Sequence, residues 1–117
     1  MTTQQVADRF YELSQQNGFE HILTELYSRD AKSIEPTEDM FKNAVGLDAI
    51  TAKGKQFSEM IEEMHGGYCS QPLVAGNFFT CTMGMDVTLK GQPRMKMDEV
   101  AVYEVKDGKI VLEQFFF

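Results

Sequence analysis

The sequence predicts an α+β fold in which a cone-like, curved antiparallel sheet packs on three N-terminal helices. Apolar residues recur at helical spacing through the first half of the chain, and after Gly66 the pattern changes to strict alternation that holds to the end. Helices first and a meander afterwards imply a sheet covered on one side. With 117 residues the chain fits one core and no second one, so residues 1–117 read as a single domain.

Val6, Phe10 and Leu13 fall on one face of the first helix, and Thr2 with Gln5 has the spacing of a capping box. Asn17-Gly18 ends that helix. Phe19, Ile22, Leu23 and Leu26 share a face of a second, shorter helix. Ala31 to Glu35 reads as a short strand that Pro36 ends, and Glu35 to Ala44 lacks any period and reads as a loop. The third helix carries Leu47, Ile50, Phe57, Met60, Ile61 and Met64, with Gly66 placed to cap its end. His65 then sits in the last turn, where a cation gains from the helix dipole; a catalytic role is its other reading.

The meander is expected to have four long strands whose phase is legible. Phe79, Cys81, Met83, Met85, Val87 and Leu89 share one face of the strand Asn77 to Leu89. Met95, Met97, Ala101, Tyr103 and Val105 share the apolar face of the strand Arg94 to Val105, and Arg94, Lys96, Asp98 and Glu104 lie opposite. Glu99 is the formal charge that falls on the apolar face. Burying an ionised carboxylate is costly, so such a residue is paired, protonated or turned towards a pocket.

Asp107-Gly108 predicts a type I′ hairpin that pairs Ala101 with Gln114 and Glu99 with Phe116. A turn at Gly76-Asn77 would bring Tyr68 to the same face, opposite Met85. The expected site is therefore Glu99 as acid or base, with Tyr68, Met83, Met85, Met97, Gln114, Phe116, His65 and Glu35 lining a pocket. Methionine serves both as core filler and as an adaptable ligand surface, and Tyr68 as either an oxyanion donor or a packed aromatic.

A net charge of −7, with the eleven Lys and Arg residues forming no basic run, argues against nucleic-acid and anionic-membrane partners. No stretch approaches the roughly 18 apolar residues of a membrane span, and the N-terminus lacks the pattern of a signal peptide, so a cytoplasmic location is expected. Cys69 and Cys81 lack metal-site spacing and read as free, packed thiols. On the opposite sheet face Val100, Val102, Val111, Phe115 and Phe117 form an apolar patch, from which a homodimer is expected.

Four segments carry a family resemblance: LYSRDAKSIEP (residues 26–36), VGLDAITAKGKQF (45–57), PLVAGNFF (72–79) and, most specific, DEVAVYEVKDGKIVLEQFFF (98–117). In their order and spacing the chain resembles the SnoaL-like branch of the nuclear-transport-factor-2-like superfamily. That resemblance implies a cystatin-like α+β roll over nearly the whole chain. The superfold hosts isomerases, cyclases, hydrolases, ligand binders and interaction modules, and its enzymes place an acid on the inner sheet face. The reading is a pocket for an apolar small molecule, with proton transfer or cyclisation next to a carbonyl and no metal or organic cofactor. A non-catalytic ligand-binding or interaction module is the other reading.

Overall fold

Thr2 starts the first helix by reciprocal capping: its Oγ1 accepts the Gln5 N–H at 3.1 Å, and Gln5 Oε1 accepts the Thr2 N–H at 2.8 Å. The computed structural model describes residues 1–39 and 41–117, so the part of the Glu35–Ala44 loop at Met40 lies outside the described residues. Helix α1 (Thr3–Gln15) buries Val6, Phe10 and Leu13, and Asn17 reverses the chain in the left-handed region at φ 57°. Helix α2 (Phe19–Leu26) runs directly into β1 (Tyr27–Ile34), which starts four residues before the expected strand.

After β2 (Ala44–Val45), α3 (Leu47–Met60) ends earlier than the apolar spacing predicts, and Ile61–Cys69 is strand β3. Met64, His65 and Gly66 thus belong to a strand, and Gly66 caps nothing. Pairing overrides the helical pattern: Met64 lies opposite Val87, and the Lys90 N–H takes the Met60 carbonyl at 2.9 Å. The rest of the meander is β4 (Leu73–Ala75), β5 (Phe78–Leu89), β6 (Met95–Lys106) and β7 (Lys109–Phe116).

The curved sheet has the order β2-β1-β7-β6-β5-β3, with β4 beside β5; β1 and β7 are parallel and the other pairs antiparallel. Helix α1 packs on β3 to β6, α2 on α1 and β1, and α3 on β1, β2 and β3. The side they cover is the inner face. Phe10 bolts α1 to it, 5.5 Å from Phe79 and 4.8 Å from Tyr103 between ring centroids, while Phe79 and Tyr103 stack at 4.8 Å.

Two strand registers differ from expectation. The I′ hairpin forms, with Asp107 at φ 52°, Gly108 at φ 75° and Val105 opposite Ile110. A bulge at Val111 follows, so Glu104 faces Leu112, Tyr103 faces Glu113, Ala101 faces Phe115 and Val100 faces Phe116. One extra residue exchanges the two faces of β7: Glu113 and Phe115 turn inward, Gln114 and Phe116 outward. Phe115 therefore leaves the expected dimer patch for the inner side, and Val111 sits at the bulge.

The second slip lies between β3 and β4. Leu73 pairs with Thr80 as the Gly76-Asn77 turn requires, but across the interruption Ser70–Pro72, Tyr68 pairs with Gly84 rather than Met85. Pro72 has no N–H to continue a ladder. Tyr68 consequently lies on the outer face, 52% exposed, its hydroxyl donating to Asp98 Oδ1 at 2.8 Å and its ring crossing Gly84. A Cβ on Gly84 would come within 2.5 Å of the Tyr68 ring and 2.9 Å of the Met97 carbonyl oxygen. Gly84→Ala is expected to destabilise the fold by about 1–3 kcal/mol, read as a lowered urea midpoint; an unchanged midpoint would contradict this packing.

Candidate functional site

Strand β1 alternates, so buried Ala31 and Ser33 face inward, and Glu35 continues that parity just past the strand. On α3, Lys53 stands three residues after Ile50 and four before Phe57, on the stripe that faces the sheet rather than the solvent. These elements assemble a continuous chain of side chains. Tyr27 donates its hydroxyl to Glu113 Oε1, and Ser33 donates to Glu113 Oε2 at 2.6 Å. Lys53 Nζ donates to Ser33 Oγ at 2.6 Å and to Glu35 Oε1 at 2.7 Å. Lys53 and Glu35 are 13% and 9% exposed, so this ion pair is poorly screened.

Burial pushes the Glu113 pKa up, while hydrogen bonds from Ser33 and Tyr27 and the charge of Lys53 pull it back. Glu99 lies directly opposite Met83, between Met97 and Ala101 on its own strand, with Phe115 as diagonal neighbour on β7. Burial above all, then the charges of Glu35 and Glu113, push Glu99 up to about 7; among the described residues no hydrogen bond offsets them. A carboxyl in this range exchanges protons in either direction near neutral pH.

The structure brings Glu99, Glu35, Met83 and Met97 to the inner side, with Met85 paired to Met97. It separates the others from them. Tyr68, Gln114 and Phe116 lie on the outer face, and His65 sits in β3 with Nε2 2.8 Å from Thr88 Oγ1 and Nδ1 3.3 Å from Glu63. Cys69 and Cys81 are free thiols with sulfurs 3.9 Å apart. Glu113, Ser33, Tyr27 and Lys53 form the part of the cluster that sequence reasoning missed. The position of Lys53 on an apolar helix stripe was the available signal, because a lysine there needs an acidic partner.

Concavities among the described residues include two that Glu99 does not line. One of about 630 Å³ lies between Met1–Thr3, Asn77 and the β6–β7 turn; the other, of about 390 Å³, runs along the outer face beside Tyr68, Gly84 and Asp98. No helix of the described residues is long and apolar enough to cross a membrane.

The family model of the SnoaL-like domain matches residues 1–117. Among solved structures, a Mesorhizobium loti protein described provisionally as a SnoaL-like polyketide cyclase, with carbohydrate phosphatase as a second description, is 34% identical over 100% of both chains, at a TM-score of 0.94. An NTF2-like protein from Burkholderia thailandensis is 15% identical over 99% of this chain and 90% of its own, at a TM-score of 0.82. TerC, co-crystallised with polyporic acid, is 15% identical over 98% and 90%, at 0.76. The last two matches speak for the fold alone. No curated protein matches the chain.

The raised pKa of Glu99 links to stability with a definite sign. Between 4.5, its ordinary value, and about 7, the folded chain keeps a proton that the unfolded chain has released. Stability therefore falls as pH rises through that window and does not recover above it. Glu99→Gln removes this contribution, so the variant is expected to be more stable than the parent at pH 8 by roughly 2 kcal/mol and to lose that advantage towards pH 4. Urea unfolding at the two pH values measures the difference; a constant offset would contradict it.

Proposed function

The chain belongs to the SnoaL-like domain family, and on that footing we propose that it holds an apolar small molecule against its inner sheet face and moves a proton next to a carbonyl, as an isomerase or cyclase does. The observation that carries this reading is Glu99: a half-buried carboxyl without a compensating cation among the described residues, poised near neutrality among Met83, Met97 and Phe115. An apolar lining favours an uncharged ligand, and a carboxyl in this pKa range is matched to abstracting or donating a proton at physiological pH. TerC, which shares the fold, was co-crystallised with polyporic acid, and that agrees with this reading.

The test is hydrogen exchange at carbon. In deuterium oxide the protein is expected to accelerate exchange of the α-hydrogens of β-tetralone, followed by proton NMR. Glu99→Ala should lower the accelerated rate by about 100-fold or more. Exchange that persists in Glu99→Ala refutes the role of Glu99. Shifts of methionine methyl signals on adding β-tetralone, without any exchange, support the ligand-binding reading in which the site is not catalytic.

The outer face supports a second proposal. Val100 and Phe116, paired across β6 and β7, are 41% and 48% exposed and continue into half-buried Val102. We infer that this strip meets a second copy of the chain. Sedimentation at micromolar concentration is expected to give twice the 13.3 kDa chain mass, and Val100→Lys the chain mass itself. A monomeric parent protein excludes the interface.

A further inference from the structure

The chain has two cysteines, and the fold brings them together. Cys69 is the last residue of β3 and pairs with Met83, while Cys81 precedes Met83 by two residues on the same face of β5. They are thus diagonal neighbours on the inner side, free thiols whose sulfurs stand 3.9 Å apart. Their surroundings differ. Cys81 is 4% exposed and lies opposite buried Ala101, whereas Cys69 is half-buried where the interruption Ser70–Pro72 begins. Helix α1 ends against the latter, with Gln15 Nε2 donating to the Cys69 carbonyl at 3.1 Å. Cys69 is therefore the more accessible sulfur, and Cys81 stands behind it. The hydrogen bond between the two lowers the Cys69 thiol, against burial, to about 6, and the same contact together with burial pushes Cys81 up. At neutral pH Cys69 is then largely thiolate, the form that attacks an electrophile.

We propose that Cys69 and Cys81 are a redox modification site for hydroperoxides, in which Cys69 is the sulfur that is oxidised and Cys81 the one that resolves it into a disulfide joining β3 to β5. The Cys69 thiolate attacks a peroxide oxygen and the O–O bond breaks; the departing hydroxide, or alkoxide, leaves as water or alcohol after taking a proton from solvent. Cys69 is then a sulfenic acid, oxidised by the two electrons that the peroxide gained. The Cys81 sulfur attacks the Cys69 sulfur, the S–O bond breaks, and the hydroxide released leaves as water with the Cys81 proton. Two thiols and one hydrogen peroxide thus become one disulfide and two waters, and a dithiol reductant returns both thiols. A disulfide holds its sulfurs about 2 Å apart. Cys69 can supply the remaining approach, because the pairing of β3 with β5 stops at it. The bond would stand beside Met83, the residue opposite Glu99, and so tie down the β5 wall of the inner face.

The test needs no ligand, and its outcome is separate from the role of Glu99. The folded protein is treated with hydrogen peroxide at neutral pH and followed by intact mass. The parent is expected to lose the mass of two hydrogens, to lose both thiols to a maleimide label, and to regain them with dithiothreitol, while remaining a single covalent chain. Cys81→Ser is expected to stop at the sulfenic acid of Cys69, captured by dimedone, and Cys69→Ser should keep the Cys81 thiol under the same treatment. Parent thiols that survive the peroxide, that gain oxygen without joining, or that link two chains overturn the proposal. Dimedone capture of Cys81 in Cys69→Ser, as fast as that of Cys69 in Cys81→Ser, overturns the division of roles. The parent protein alone decides whether the disulfide forms, so the result does not hang on the folding of either variant.

Discussion

A single unpaired residue, Val111, decides which side chains of the last strand meet the helices. Without the bulge, the tight turn at Asp107-Gly108 would carry Leu112, Gln114 and Phe116 inward and leave Glu113 in solvent. With it, Glu113 enters the closed part of the cone opposite Tyr103, 6% exposed, and the fold must supply partners for a carboxylate there. The parallel pairing of β1 with β7 supplies them, bringing Tyr27 and Ser33 to its two oxygens. Parallel strands need a long crossover, and the whole chain between β1 and β7 serves as one, so the contact ties its early part to its end.

From Glu113 the constraint runs outward. Ser33 donates its hydroxyl to the carboxylate and accepts from Lys53, which fixes the lysine end over β1. That fixes α3, because Lys53 stands between buried Ile50 and half-buried Phe57 on the sheet-facing stripe and reaches Glu35 in the same pose. The closed end of the cone is held differently, by Phe10, Phe79 and Tyr103 in aromatic contact. Glu99 lies in neither system. It sits among Met83, Met97 and Phe115, where the lining is thioether and phenyl and where no described residue neutralises a charge.

Much of this was legible in the sequence where local chemistry decides. The capping box at Thr2 and Gln5, the turns at Asn17-Gly18, Gly76-Asn77 and Asp107-Gly108, and the phase of β5 against β6 all follow from residues close together in the chain. Glu99 was legible for the same reason, since its misplacement shows within one strand. Non-local facts were not. Met60, Ile61 and Met64 satisfy helical spacing as well as a strand, and pairing with β5 settles the matter. The bulge at Val111 and the break at Pro72 each shift a register by one residue, and alternation beyond such a shift is read on the wrong face. Tyr68 and Gln114 were lost to the site in that way, and Glu113 was gained.

Lys53 and Ser33 show how the two kinds of information meet. Neither is conspicuous alone, since a lysine on a helix and a serine in a strand are ordinary surface residues. Each is out of place once its element has a face: Lys53 lies on the Ile50–Phe57 stripe, and Ser33 follows buried Ala31 at strand spacing. An inward lysine requires an acid, and an inward serine requires both a donor and an acceptor. Together they call for two carboxylates near the junction of β1 and α3, which the inward parity of Glu35 and the bulge-turned Glu113 provide. Glu99, among the described residues, has no claim on Lys53, and its carboxyl is left to the apolar lining of Met83, Met97 and Phe115.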